Sequence, residues 1–180
     1  MKTHTRNLTF SAMFLAIGQV LPLITGQIPQ IGKMLCPMHF PILLCGFFCG
    51  WQYGAAVGFI CPLLRSLLFG MPVLYPSAIG MAFELMTYGL ISGLLSKKIG
   101  TDTLWRIYIS LVSAMLCGRV VWGLAQIVLL GIQGDRFTVP AFLAGAFINA
   151  LPGIIFQLIL IPILVRIFKQ RIERGIVKNE

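Results

Sequence analysis

Acidic residues are scarce: five Asp and Glu stand against fourteen Lys and Arg in 180 residues, and charged residues of both signs make up only 11% of the chain. A soluble globule of this length needs far more polar surface than that to cover itself, so a soluble domain is excluded. Catalytic signatures are missing as well. The chain has no HExxH, no GxSxG and no paired carboxylates, and it has no GxxxxGK[ST] loop to cradle nucleotide phosphates. Neither an intramembrane enzyme nor a chain that hydrolyses ATP by itself is expected. The five cysteines, Cys36, Cys45, Cys49, Cys61 and Cys117, are odd in number and scattered through apolar sequence, which argues against a disulfide framework. No small-x-small cleavage pattern follows the first apolar run, so that run is read as a first span and not as a signal peptide.

Hydrophobic residues make up 58% of the chain, in runs that recur from the first ten residues almost to the end. The expectation is one all-α, multi-pass integral membrane domain over residues 1–180, with spans at 8–26, 37–50, 53–70, 76–96, 104–131 and 140–168. Reading 37–70 as one helix would give a rod of about 51 Å at 1.5 Å per residue, against a hydrocarbon core of about 30 Å. A break at Gly50-Trp51-Gln52-Tyr53-Gly54 resolves this.

The net charge of +9 resides at the ends of the apolar runs and is not interleaved with aromatics on one face. Anionic lipid headgroups and orientation in the bilayer therefore explain it better than nucleic acid does. With six spans and both termini cytoplasmic, the inside holds Lys2, Arg6, Lys97, Lys98, Arg106, Arg166, Lys169, Arg171, Arg174 and Lys178, and the outside holds Lys33 and Arg136. Five spans would destroy that asymmetry.

The remaining two basic residues, Arg65 and Arg119, lie within spans, and so does Glu84. Ionisable groups in such positions mark functional sites or structural ion pairs. Arg65 lies five residues before Gly70, and Glu84 eight residues after Pro76, so the two differ in depth by only about 4.5 Å and are able to neutralise one another. Arg119 then adds a cation without a second carboxylate, which an anionic ligand group would satisfy. Trp122, Gly123 and Gln126 follow it at i+3, i+4 and i+7, adding a flat ring and an amide to the same face. Around Glu84, Ser77, Gly80, Met81, Thr87 and Tyr88 share a side. Asn149 interrupts a small-residue stripe of Ala141, Gly145 and Gly153, and an amide facing lipid is costly. His39 and Lys33 join from the outer entrance. All of these fall in the outer half of the bilayer or near its midplane, so the geometry is that of a pocket open to one side and not of a through-pore. Met34, Cys36, Met38 and His39 superficially suggest a soft metal, but Pro37 interrupts them and no further ligand set accompanies them, so no metal site is expected. The pairs Gly46/Gly50, Gly54/Gly58 and Gly89/Gly93 read as helix-packing faces.

The first span carries Ala12-Met13-Phe14-Leu15-Ala16, an Ala-xxx-Ala pair near the cytoplasmic end. With the length, the six spans, a long first outer loop and the outer-half pocket, the whole chain resembles the substrate-binding S components of energy-coupling factor (ECF) transporters. The resemblance implies that Ala12 and Ala16 dock onto a transmembrane scaffold subunit attached to two cytoplasmic ATPases. The partner subunits would use ATP, and this chain would bind no cofactor. It also implies a vitamin or related micronutrient as substrate, held by Arg119, Glu84, Arg65, Asn149, Trp122, Gln126 and His39 beneath loops at about Gln27–Cys36 and Met71–Tyr75. The excess of positive charge nominates pantothenate first, with pyridoxine or riboflavin next. A nickel or cobalt substrate is disfavoured, because Met1-Lys2-Thr3-His4 departs from the N-terminal histidine pattern of the metal-transporting members. The alternatives are a stand-alone carrier, against which the lack of an internal repeat argues, and a structural or sensory membrane protein whose charges only hold helices together.

Overall fold

The structure, a computed structural model, describes residues 2–24 and 34–177. Helices α1 (Lys2–Ile24), α2 (His39–Cys49), α3 (Trp51–Phe69), α4 (Ile79–Ile99) and α5 (Leu104–Ile132) are followed by a short α6 (Val139–Leu143) and a long α7 (Leu151–Val177). Two wide turns, each closed by a hydrogen bond five residues back, introduce α4 and α7. Ala78 N–H donates to Val73 O ahead of α4, and Asn149 N–H donates to Ala144 O between α6 and α7, both at 2.9 Å. No strand occurs among the described residues.

The expected six spans thus correspond to six helical segments. Four of them, Trp51–Phe69, Leu74–Ile99, Leu104–Ile132 and Val139–Gln170, are long and apolar enough to cross a membrane unaided. By contrast, α2 has only eleven residues, about 16 Å, or half the thickness of a hydrocarbon core. Gly50 alone makes the break between α2 and α3. Its φ of 91° is a conformation that L side chains rarely adopt, so the sharp reversal depends on glycine there.

Successive long helices run antiparallel, with α4 at the centre against α2, α3 and α5. The interior is filled by Ile42, Leu43, Leu85, Tyr88, Ile107, Leu111 and Ile161. Outward faces are as apolar as the core: Leu67, Leu68, Val120, Leu124, Ile159 and Ile163 are all exposed, as lipid-facing side chains are. One end of the bundle gathers the chain's start and the basic residues. His4 packs edge-on against Tyr53, Asn7 Nδ2 donates to Cys49 O, Phe48 packs on Phe168, and Asp102 accepts from Lys169 and Arg106. Arg136 lies at the far end, in the link between α5 and α6.

Without a hydrophobic drive between helices in lipid, close backbone approach has to supply the packing energy. A Cβ on Gly54 or Gly89 would strike the other residue's backbone, one on Gly58 would strike Leu85 O, and one on Gly93 would strike Trp51 N. Gly46 lies equally close to Gly89 O. Five of the six glycines read as packing positions therefore serve as such, and Gly50 forms the turn. Gly89→Val overpacks this seam and lowers the melting temperature in detergent, an effect of about 1–3 kcal/mol or more. Gly131→Ala, where nothing lies within 4 Å, leaves it unchanged or slightly raised.

The Lys169 ammonium hydrogen-bonded to Asp102 holds that exposed carboxyl below its ordinary value. A depressed folded-state pKa contributes stability above the unfolded value of about 3.9, and this is lost as pH falls through the folded value. Asp102→Asn is therefore slightly less stable than wild type near neutral pH, and the difference closes as pH falls through the lowered value of the Asp102 carboxyl. Melting curves of both proteins across that range check it.

Candidate functional site

Successive helical residues turn by about 100°, so while the Leu85 backbone faces Gly58 on α3, the Glu84 side chain points away from that seam. It meets α2 and α5. Arg119 Nη1 lies 2.8 Å from Glu84 Oε1, His39 Nε2 lies 3.4 Å from the same oxygen, and the Tyr88 hydroxyl, one turn along α4, donates to it at 3.1 Å. Glu84 is 2% exposed and Arg119 6%. Each partner has its own reason to be there. Cys36 takes a left-handed backbone (φ 48°) that turns the chain into α2, accepts the His39 N–H at its carbonyl, and brings its Sγ 3.9 Å from Arg119 Nη2. Gly118 leaves room for the Tyr88 ring, which a Cβ there would strike, and the His39 ring packs edge-on to Tyr88 at 5.2 Å.

Arg65 does not join this cluster, contrary to the expected Arg65–Glu84 neutralisation. Its Nη1 donates to Gln19 O of α1 at 2.6 Å, and its guanidinium lies over the Phe69 ring at 5.0 Å. Gln19 Nε2 donates in turn to Cys61 O at 2.9 Å, so Arg65 and Gln19 bind α3 to α1. Depth brought Arg65 and Glu84 level, but azimuth separates them. Arg119 is consequently not the unpaired cation that the sequence suggested, since its carboxylate partner is Glu84. The Glu84–Arg119 pair is charge-balanced.

Trp122 and Gln126 follow Arg119 toward the far end of α5. Gln126 is buried with its amide against Gly80. The half-buried Trp122 ring lies between Gly80 and Gly145 and packs against Phe137 at 5.7 Å and Phe142 at 6.2 Å. This aromatic group separates the Glu84 cluster from the far end of the bundle. Thr87 does not face Glu84; its hydroxyl returns to Phe83 O at 2.8 Å. Tyr75, in the link before α4, donates to Leu129 O of α5.

Asn149 is exposed, contrary to expectation. The wide turn at Ala144–Ile148 inserts one extra residue, shifting the helical phase by about 100°. The buried edge of this segment therefore runs Ala146, Ala150, Gly153, Gln157, Ile161 and Val165. Gln157, which sequence reasoning passed over, is the amide this edge buries. Ala12 and Ala16 are exposed on α1. Lys33 and most of the expected loop Gln27–Cys36 lie outside the described residues.

Two atoms of the cluster, Arg119 Nε and His39 Nδ1, are buried with no hydrogen-bond partner among the described residues. A buried unsatisfied polar atom in a native interior calls for a bound partner or a function. A separate cavity of about 540 Å³ lies between α1, α2 and α7, with a nearly all-apolar lining that includes Phe10, Met13, Ile17, Leu160 and Leu164, and with Arg6 and Asn7 at its basic end. It touches the polar cluster's surroundings only through Leu35, Pro37 and Phe40.

The fold is thus a helical membrane bundle that buries an ion pair beside two polar atoms without hydrogen-bond partners among the described residues. The sequence matches the family described as ECF transporter, substrate-specific component, over residues 6–165. The chain belongs to that family, the substrate-binding component of ECF transporters, a family of transport proteins that work with membrane and ATPase subunits. No curated protein and no solved structure matches it.

Breaking the buried pair exposes its role. Glu84→Gln or Arg119→Met alone leaves one uncompensated buried charge and costs about 3–5 kcal/mol, whereas the double variant regains most of that loss. Thermal unfolding of the three proteins in detergent measures this. Additive single and double effects would show that the two charges are not coupled.

Proposed function

We propose that this chain captures a water-soluble vitamin or related micronutrient at the Glu84–Arg119–His39–Tyr88 cluster and delivers it through a scaffold subunit driven by two ATPases. The observation that carries the reading is the pair of unsatisfied buried atoms, Arg119 Nε and His39 Nδ1, beside a charge-balanced ion pair. The basic end of the bundle lies at the cytoplasmic face of the cell membrane, following the positive-inside rule, so both termini are inside and the cluster is approached from outside past Trp122 and Gln126. Arg65 acts as a structural tie to α1, and Asn149 contributes at most from the rim. Pairing of Arg119 with Glu84 favours neutral candidates such as pyridoxine and riboflavin over the anionic pantothenate. The exposed Ala12 and Ala16 give α1 a smooth face on which a scaffold helix can pack closely.

The test combines mass spectrometry of small molecules retained by the detergent-purified protein with uptake by the assembled transporter. Wild type is expected to retain one vitamin-sized molecule. Ala12→Trp and Ala16→Trp are expected to retain it equally but to lose uptake by tenfold or more. Normal uptake by both tryptophan variants would remove α1 as the docking face. A wild-type protein that retains nothing would count against capture.

A further inference from the structure

Gln157 is 1% exposed, and neither its Nε2 nor its Oε1 has a hydrogen-bond partner among the described residues. Burying an amide unpaired is costly, and an apolar residue at this position on α7 would avoid that cost. Contacts on either side place it along the axis of the bundle. Segment α7 runs parallel to α2: a Cβ on Gly153 would meet the backbone of Met34 and Leu35, the Phe156 ring packs on Phe40 at 5.2 Å, and Phe168 packs on Phe48 at 5.5 Å. Gln157 is therefore level with the first turn of α2, where His39 stands. Across α5, the contacts of Gly145 with Trp122 and of Lys169 with Asp102 bracket it. Midway between them lie residues 110–114, where the Ser110 hydroxyl is also buried without a partner.

We infer that Gln157 is a specificity-determining residue of the capture site, an inference that rests on the function proposed above. A primary amide presents one donor beside one acceptor. Its complement is a ligand edge carrying an acceptor beside a donor, as in a lactam ring or a carboxamide. With Arg119 neutralised by Glu84, the substrate class is an uncharged molecule that bears such an edge.

Full-length protein in detergent, washed free of bound molecules, is titrated calorimetrically with riboflavin and nicotinamide, both uncharged with an amide-type edge. Pantothenate, an anion with an open-chain secondary amide, is the comparison. Wild type is expected to bind at least one of the first two more tightly than pantothenate, with Gln157→Leu and Gln157→Glu each weakening that binding by tenfold or more. Gln157→Leu is expected to melt at or above wild type without any probe, because it removes an unpaired amide. Unchanged affinity in Gln157→Leu overturns the inference, as does a markedly lower melting point, which would show that the amide is already satisfied. If wild type binds neither uncharged probe but retains a molecule of another class by mass spectrometry, this inference falls and the capture function stands. A wild type that retains nothing overturns both.

Discussion

A carboxylate with 2% of its surface exposed, inside a bundle whose outer faces are themselves apolar, is the constraint to which the neighbouring helices answer. Removing an ion from water costs several kcal/mol even after relaxation, and the attraction of its partner offsets this only when geometry and further hydrogen bonds are good. Glu84 obtains both from Arg119 on α5, His39 at the start of α2 and Tyr88 on its own helix. The glycine seam between α3 and α4 is part of the same solution. Close approach at Gly54/Gly89 and Gly58/Leu85 fixes the rotation of α4, and that rotation directs Glu84 to α2 and α5 and leaves Arg65 to α1.

Charge balance then shapes what the site can select. An anionic ligand would have to compete with Glu84 for the Arg119 guanidinium and leave a buried carboxylate short of its counter-ion. An uncharged ligand needs only the atoms that the cluster leaves over, Arg119 Nε and His39 Nδ1. These atoms lose nothing when occupied, whereas the ion pair would. Selection by hydrogen bonds alone is also demanding, since a molecule lacking the matching edge leaves buried polar groups unpaired.

Much of this was legible in the sequence, and the failures share a cause. Residue counting along each helix gives depth at 1.5 Å per residue, which is why Glu84, Arg119 and His39 are all readable as lying in the outer half of the bilayer or near its midplane. It gives no azimuth, so Arg65, at the same depth, was paired with Glu84 although it faces Gln19. Helical phase is a second blind quantity. One extra residue in the turn at Ala144–Ile148 carries Asn149 off the buried edge that Gly153 and Gln157 continue, and nothing in Ala-Gly-Ala-Phe-Ile announces a wide turn. The packing glycines were readable because their signal is compositional and survives a modest error in rotation.

The two wide turns, before α4 and between α6 and α7, begin the two spans that flank Trp122. Gly80 lies just after the first and Gly145 within the second, and the indole occupies the space that their missing side chains leave. With Phe137 and Phe142 against it, the ring forms an aromatic layer between the far end of the bundle and the Glu84 cluster. Aromatic faces stack on flat molecules at little cost in ordering, and the amide of Gln126 lies beside them at Gly80. A planar, uncharged molecule entering from the far end would thus meet stacking surfaces first and hydrogen-bonding atoms after. The same layer keeps bulk water from the ion pair, so the interaction that holds the helices together is protected by the surface a ligand would cross.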